Sequence, residues 1–211
     1  GMMGLGKAKK AVRIEAKKRL EAADYESLQR ASMAISSKLL ALLEGEILGA
    51  EARNQDCIVL CYYPMGREVN ILPCVKAILQ RAKVYFPKCQ TREEMEFYQV
   101  ENRGGDFAAV AYGILEPMTD VKLHKEDMVG KHVLVIVPGV AFDHHLNRMG
   151  SGAGYYDRFL TDCSCKIGVC YDCQMWKEDL PVGCYDVQMD ILLTEEEAYM
   201  NRGLHGTAGL V

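Results

Sequence analysis

Two short apolar runs constrain this chain more than any other feature in it. Asp56-Cys-Ile-Val-Leu-Cys-Tyr62 and Val133-Leu-Val-Ile-Val137 are continuous rather than alternating. A strand with one solvated face alternates apolar and polar residues, whereas a continuous run of this length signals a strand covered on both faces, as in parallel sheets. A turn at Pro64 and Gly66, a helical pattern over 70–82 and a second strand, Lys83-Val-Tyr-Phe-Pro87, follow the first run. Strand, helix, strand predicts a parallel pair joined by a right-handed crossover. Glu96 to Val100 alternates like an outer strand, and Lys166 to Tyr171 and Met189 to Leu193 read as two more strands. The expected fold is a single three-layer α/β/α domain over residues 1–200 with a mostly parallel sheet. Residues 201–211 carry three glycines and little periodicity, and are expected to form a loose tail.

Ahead of the first strand the pattern is helical. Ala8, Ala11, Val12, Ala16, Leu20 and Ala23 recur at spacings of three and four, which puts them on one face of a helix over 7–23. Asp24 suits the cap of a second helix, with Leu28, Ala31, Ile35, Leu39 and Leu42 on its buried stripe and Gly45 as its left-handed stop.

Charge narrows the function. The 211 residues hold 25 Lys+Arg against 29 Asp+Glu, a net of −4. That balance argues against a nucleic-acid binder, whose affinity rests on cations neutralising phosphates. The first helix departs from the average, with Lys7, Lys9, Lys10, Arg13, Lys17, Lys18 and Arg19 against two acids, Glu15 and Glu21. No apolar stretch approaches the ~20 residues of a membrane span, and the first twenty residues are basic and helical rather than a secretory signal. Gly1 ahead of Met2 reads as a scar of tag cleavage. An odd count of nine cysteines in a chain this long does not suit a disulfide scaffold. The expectation is a cytoplasmic, thiol-reduced protein with no membrane partner.

Ligands of open α/β sheets bind beyond the carboxyl ends of the strands, which points to the loops after Tyr62, Val137 and Tyr171. The loop after Val137, expected over 139–153 and leading into a helix from about Gly154 to Thr161, carries Gly150, Gly152 and Gly154 at alternate positions. Glycine lets backbone N–H groups approach an anion, and a helix start adds unpaired N–H groups. Arg148 can add a charge-assisted contact to phosphate, and Asp157, one turn into the helix, is an oxygen ligand of the kind Mg²⁺ favours. The string is neither a P-loop nor the dinucleotide fingerprint. On spacing alone, a structural turn explains the glycines as well as a phosphate cradle does.

The whole string is more specific. Pro138-Gly-Val-Ala-Phe-Asp143 followed by Arg148-Met-Gly-Ser-Gly-Ala-Gly-Tyr-Tyr-Asp157 resembles the signature of the 5-formyltetrahydrofolate cyclo-ligase (5,10-methenyltetrahydrofolate synthetase) family. Four further segments resemble that family in the same order. They are Lys9-Lys-Ala-Val-Arg13, Tyr63-Pro-Met-Gly-Arg-Glu68, Tyr112-Gly-Ile-Leu-Glu-Pro117, and the run from Tyr185-Asp186 through Asp190 to Glu195.

The resemblance implies an ATP- and Mg²⁺-dependent ligase that closes 5-formyltetrahydrofolate to 5,10-methenyltetrahydrofolate, releasing ADP and phosphate. It implies that Lys9 and Arg13, four apart on one helix face, reach the ATP phosphates. Arg148, Met149, Gly150, Ser151, Gly152, Ala153, Gly154, Tyr155 and Tyr156 would hold the nucleotide. Arg148 and Tyr155 would be catalytic, with Tyr155 near both ligands. Tyr63 and Glu68 would contact the folate, whose 2-amino and ring N–H groups offer donors to a carboxylate. Asp157 and Asp186 would hold the metal. The expected substrate is folate with or without a polyglutamate tail, and the expected state is a monomer. Lys7, Lys10, Lys17, Lys18 and Arg19 are read as a solvated basic face, and Tyr62 as a core aromatic.

Departures from the family pattern matter. Ser151 and Ala153 are small and neutral where cations or aromatics are common, Met149 stands for Leu, and Tyr185 for His. A member that binds nucleotide or folate with little turnover is therefore one alternative. A sugar-phosphate isomerase or acyl-CoA-type enzyme on a related fold is another. Cys163-x-Cys165, Cys170-x-x-Cys173 and Cys184 raise a third, a zinc module. Cys165 and Cys170, however, fall in or beside an apparent strand, where free cysteine acts as a small hydrophobe.

Overall fold

The computed structural model describes residues 2–91, 94–100, 120–152, 156, 159–183 and 186–201. Helix α1 spans Met2–Ala22 and α2 spans Tyr25–Ala52. They are followed by β1 (Cys57–Leu60), α3 (Leu72–Ile78), β2 (Lys83–Thr91), β3 (Glu94–Val100), the single-turn α4 (Lys125–Met128) and β4 (His132–Val137). Then come β5 (Ala141–Asp143), β6 (Arg148–Met149), β7 (Cys165–Val169), β8 (Met175–Trp176), β9 (Ile191–Leu193) and β10 (Ala198–Met200).

Seven strands form the main sheet in the order β10-β9-β7-β4-β1-β2-β3. The five inner strands are mutually parallel, and the two edge strands β3 and β10 run antiparallel to their neighbours. The protein is thus an α/β domain on a mostly parallel sheet. The continuous runs are buried on both faces, as read. In β4, Leu134 and Ile136 join the cluster under α2 and α3, while Val133, Val135 and Val137 join the cluster on the opposite face. Among the described residues that opposite face is covered by short segments, through Phe142, Leu146, Tyr156 and Leu160.

Asp24 caps α2, its carboxylate accepting from Ser27 N–H at 3.0 Å and from Ser27 Oγ at 2.8 Å. Gly45 does not stop that helix, which runs to Ala52. Ile47 and Ala50 lie on the same fully buried stripe as Leu39 and Leu43. A glycine inside a helix costs about 1 kcal/mol, less than the ~1.5–3 kcal/mol gained by burying a residue such as Ile47. The helix ends instead at Arg53, before Asn54 turns to φ 54°.

The loop expected over 139–153 holds β5 and β6, which pair with β8 in a second sheet of order β6-β5-β8. Strands of two or three residues carry no readable period. Of the helix expected from about Gly154 to Thr161, residues 154, 155, 157 and 158 lie outside the described residues, and a 3₁₀ turn is found at Leu160–Asp162. The tail 202–211, the segment 112–117 and Tyr185 lie outside the described residues. Among the described residues no helix is long and apolar enough to cross a membrane.

Candidate active site

The first helix makes the site by the way it docks. Its face is rich in alanine, and among its described side chains only Ala16 is fully buried, packing with Val12 against Ala141, Met149, Trp176 and Leu180. That burial is too small to fix the helix alone, and cations complete the attachment. The Arg19 guanidinium lies 4.1 Å from the centre of the Trp176 ring. Arg67 Nη1 donates to the carbonyls of Leu20 at 3.3 Å and Ala23 at 2.7 Å. Docked in this way, α1 rests on the small sheet and closes one side of a cleft of about 670 Å³ at the carboxyl ends of β1 and β4.

Polar groups from four separate stretches of chain converge on that cleft. Lys9 Nζ lies 2.8 Å from Asp186 Oδ2, which also accepts from Gly183 N–H at 2.6 Å. Arg13 Nε donates to the Gly150 carbonyl at 2.9 Å. Arg148 Nε donates to the Pro138 carbonyl at 2.7 Å, and its guanidinium lies 5.0 Å from the centre of the Tyr156 ring. Gly152 has φ +109°, a conformation side chains rarely adopt, and the Arg13 guanidinium packs over it. Gly139 is excluded from any larger residue, since a Cβ would sit 2.8 Å from Phe142 and 3.2 Å from the Met149 carbonyl.

Glu68 forms the opposite wall. It follows β1 through the turn at Gly66, and its Oε1 accepts from Met65 N–H at 2.9 Å. Burial raises its pKa, and the Met65 N–H and the Arg148 charge oppose that rise. The cleft therefore holds four cations, Lys9, Arg13, Lys17 and Arg148, a partly desolvated carboxylate and a glycine-lined backbone.

The structure brings Lys9, Arg13, Glu68, Arg148, Met149, Gly150, Ser151, Gly152, Tyr156 and Asp186 to this one cleft. The Met149 side chain is buried under α1. Tyr63 is stacked on Phe86, ring centres 4.4 Å apart, in the main core and not on the cleft lining. Tyr62 is buried, its hydroxyl donating to the Val69 carbonyl at 2.6 Å. Ala153, Gly154, Tyr155 and Asp157 lie outside the described residues.

Several contributors escaped the sequence reading. Lys17, read as solvated, lines the cleft, and Arg19, read likewise, docks the helix. Gln174 lies in the loop after β7, one of the three loops the strand-end rule marked. It is buried, donates through Nε2 to the Gly139 carbonyl at 3.0 Å and accepts from Tyr171 N–H at 2.9 Å.

The seven cysteines whose side chains are described are core residues. Cys57, Cys61, Cys74, Cys163, Cys165 and Cys170 are buried and Cys173 is half-buried. Burial pushes the thiols of Cys163 and Cys165 up to about 12. Thiolate is the metal-binding and nucleophilic form, so these side chains serve packing. Among the described residues no group of three or more His, Cys, Asp or Glu is placed to hold a metal ion.

Known proteins resemble this chain in sequence and in fold. A sequence model of the 5-formyltetrahydrofolate cyclo-ligase family matches residues 6–195. The 5-formyltetrahydrofolate cyclo-ligase of Saccharomyces cerevisiae is 30% identical over 168 residues, covering 72% of this chain and 74% of that protein. That of Mus musculus is 26% identical over 208 residues, covering 90% and 94%. The solution structure of Aquifex aeolicus 5,10-methenyltetrahydrofolate synthetase superposes with a TM-score of 0.69 at 29% identity, over 95% of this chain and 98% of that one.

Proposed function

This chain belongs to the 5-formyltetrahydrofolate cyclo-ligase family, and from that membership we propose that it closes 5-formyltetrahydrofolate to 5,10-methenyltetrahydrofolate at the expense of ATP. The observation that carries the reading is the convergence of Lys9, Arg13 and Arg148 with the Gly150–Gly152 backbone on one side of the cleft, opposite Glu68.

The chemistry explains why such a cleft needs no protein nucleophile. A formyl group on nitrogen is amide-like, a poor electrophile with a poor leaving group. In the proposed course its oxygen attacks the γ-phosphorus of ATP, releasing ADP and giving an N5-iminium phosphate. N10 of the same folate then adds to the activated carbon and loses its proton, and phosphate departs carrying the former formyl oxygen. The protein's share is to align the reactants and spread charge, as in phosphoryl transfer generally. Lys9, Arg13 and Arg148 supply cations to the triphosphate, and the glycine backbone lets it approach closely. Glu68 accepts from the pterin N–H edge, and Tyr155 is assigned to the folate side; Tyr63, stacked on Phe86 off the cleft lining, is given no folate contact.

Mg²⁺ supplies charge neutralisation on the phosphates when bound. Asp186 suits it by chemistry, being a carboxylate on the cleft lining whose hydrogen bonds both run through Oδ2. Asp157 is assigned as its second oxygen ligand.

The test mixes protein, MgATP and 5-formyltetrahydrofolate and follows the methenyl absorbance band. The expected result is a band that needs both ATP and Mg²⁺. No band at high protein concentration refutes the reading, and nucleotide binding without a band identifies a member that binds without turnover.

A further inference from the structure

Asp143 ends β5 and is 1% exposed. Among the described residues no cation pairs with it, and a buried carboxylate without a counter-ion must be held by hydrogen bonds. Four donors hold this one. Its Oδ1 accepts from His145 N–H at 2.9 Å and Asn147 N–H at 3.0 Å. Its Oδ2 accepts from Asn147 Nδ2 at 2.9 Å and Leu180 N–H at 2.8 Å.

These bonds point two ways. The three to His145 and Asn147 close a turn that holds Leu146 at φ 63°, where a leucine is rarely found. Strain of this kind persists only where the surroundings over-determine it, and the Asp143 carboxylate does so together with backbone bonds from Leu146 N–H to the Asp143 carbonyl at 3.0 Å and from Met189 N–H to the Leu146 carbonyl at 2.8 Å. The next residue out of the turn is Arg148. The fourth bond, to Leu180, fastens the segment that leads to Gly183 and Asp186, where Lys9 is anchored. One buried carboxylate therefore ties together two walls of the cleft.

We infer that Asp143 is a positioning residue for the nucleotide half of the site, acting through Arg148 and Asp186 without touching substrate. The inference rests on the functional reading above. It assigns Asp143 an effect on ATP and not on folate, because Glu68 is carried by a different element, the turn after β1.

Asp143→Asn tests it. The amide keeps the shape but presents an NH₂ group to donors in either orientation, so one wall loses its tether. The expected result is a KM for ATP raised about 10- to 100-fold, the range produced by an ångström-scale misplacement, with the KM for 5-formyltetrahydrofolate nearly unchanged. Ile35→Ala, in the fully buried stripe of α2 on the far face of the sheet, serves as the control for lost stability and should lower Tm without moving either KM. If Asp143→Asn does not fold, Asn147→Ala removes a single donor and should raise the KM for ATP by a smaller factor. A variant that moves both KM values together, or neither, overturns the inference. Arg148→Ala separates the two levels. If it raises the KM for ATP while the Asp143 variant does not, the positioning role alone fails. If Arg148→Ala leaves that KM unchanged, the nucleotide assignment and the positioning role fall together.

Discussion

Replacing Lys9 by methionine asks whether this lysine is a phosphate ligand or only a staple for α1. Lys9 Nζ sits 2.8 Å from Asp186 Oδ2, with side chains 21% and 24% exposed. Exposed ion pairs contribute about 0.2–1 kcal/mol. Taking the top of that range for this short contact, Lys9→Met should cost about 1 kcal/mol, or about 2–4 °C in Tm for a chain of this size. A hydrogen bond to a charged group contributes about 1.5–3 kcal/mol. To reach phosphate, Lys9 must first leave Asp186, so the net gain on ATP binding is about 0.5–2 kcal/mol. At 1.4 kcal/mol per decade that is about 2- to 30-fold in the KM for ATP. Initial rates of methenyl formation at varied ATP and saturating folate measure this shift, and thermal melts measure the other. Asp186→Asn breaks the same pair from the opposite side. It should reproduce the Tm loss while raising the Mg²⁺ requirement. A Lys9→Met protein that melts lower but keeps its KM for ATP would refute the phosphate role and leave only the staple.

Two further substitutions probe the opposite wall and the floor. Burial raises the Glu68 pKa, so the folded state favours its protonated form. Wild-type stability therefore falls as pH rises from the ordinary glutamate value through the raised folded value. Glu68→Gln, insensitive in that window, should melt above wild type at pH 7 while the KM for 5-formyltetrahydrofolate rises about tenfold or more; a lower Tm at pH 7 sinks the desolvation argument. Gly152→Ala places a side chain at φ +109°, a strain of about 1–3 kcal/mol. The loop should shift and weaken ATP while sparing folate, and an unchanged KM for ATP would show that this glycine backbone does not face the nucleotide.

The main sheet was legible because its strands are buried on both faces. Val133 to Val137 feeds two clusters alternately, so no position could be polar. The small sheet was not, because β6 and β8 have two residues each and β5 three. Gly45 misled for a different reason. Local propensity marked a stop, and the burial of Ile47 and Ala50 overrode it. In the site, the four-residue spacing of Lys9 and Arg13 announced a shared face, and both line the cleft. The partner of Lys9 stands 177 positions away, and no local pattern encodes such a pairing. Asp143 was visible as one letter of a motif, but its role depends on donors from two separate loops.

The basic first helix in an acidic chain follows from the same geometry. A helix that buries little more than Ala16 needs polar attachments, and the acceptors available beneath it are those of the cleft. The two cations assigned to phosphate are attached differently. Lys9 faces a full carboxylate and must exchange it for phosphate, so one charge interaction replaces another. Arg13 makes its hydrogen bond through Nε to a neutral carbonyl. A guanidinium has five donors in a fixed fork, so the Nη groups can take phosphate while Nε keeps Gly150. Arg13 is thus already oriented and gives up nothing on binding. Its contribution should approach the full ~1.5–3 kcal/mol of a hydrogen bond to a charged group, about 10- to 150-fold in KM. Arg13→Met should therefore raise the KM for ATP more than Lys9→Met does in the same assay. The reverse order would mean that Arg13 serves mainly to hold the glycine loop to the helix, and that Lys9 carries the phosphate contact.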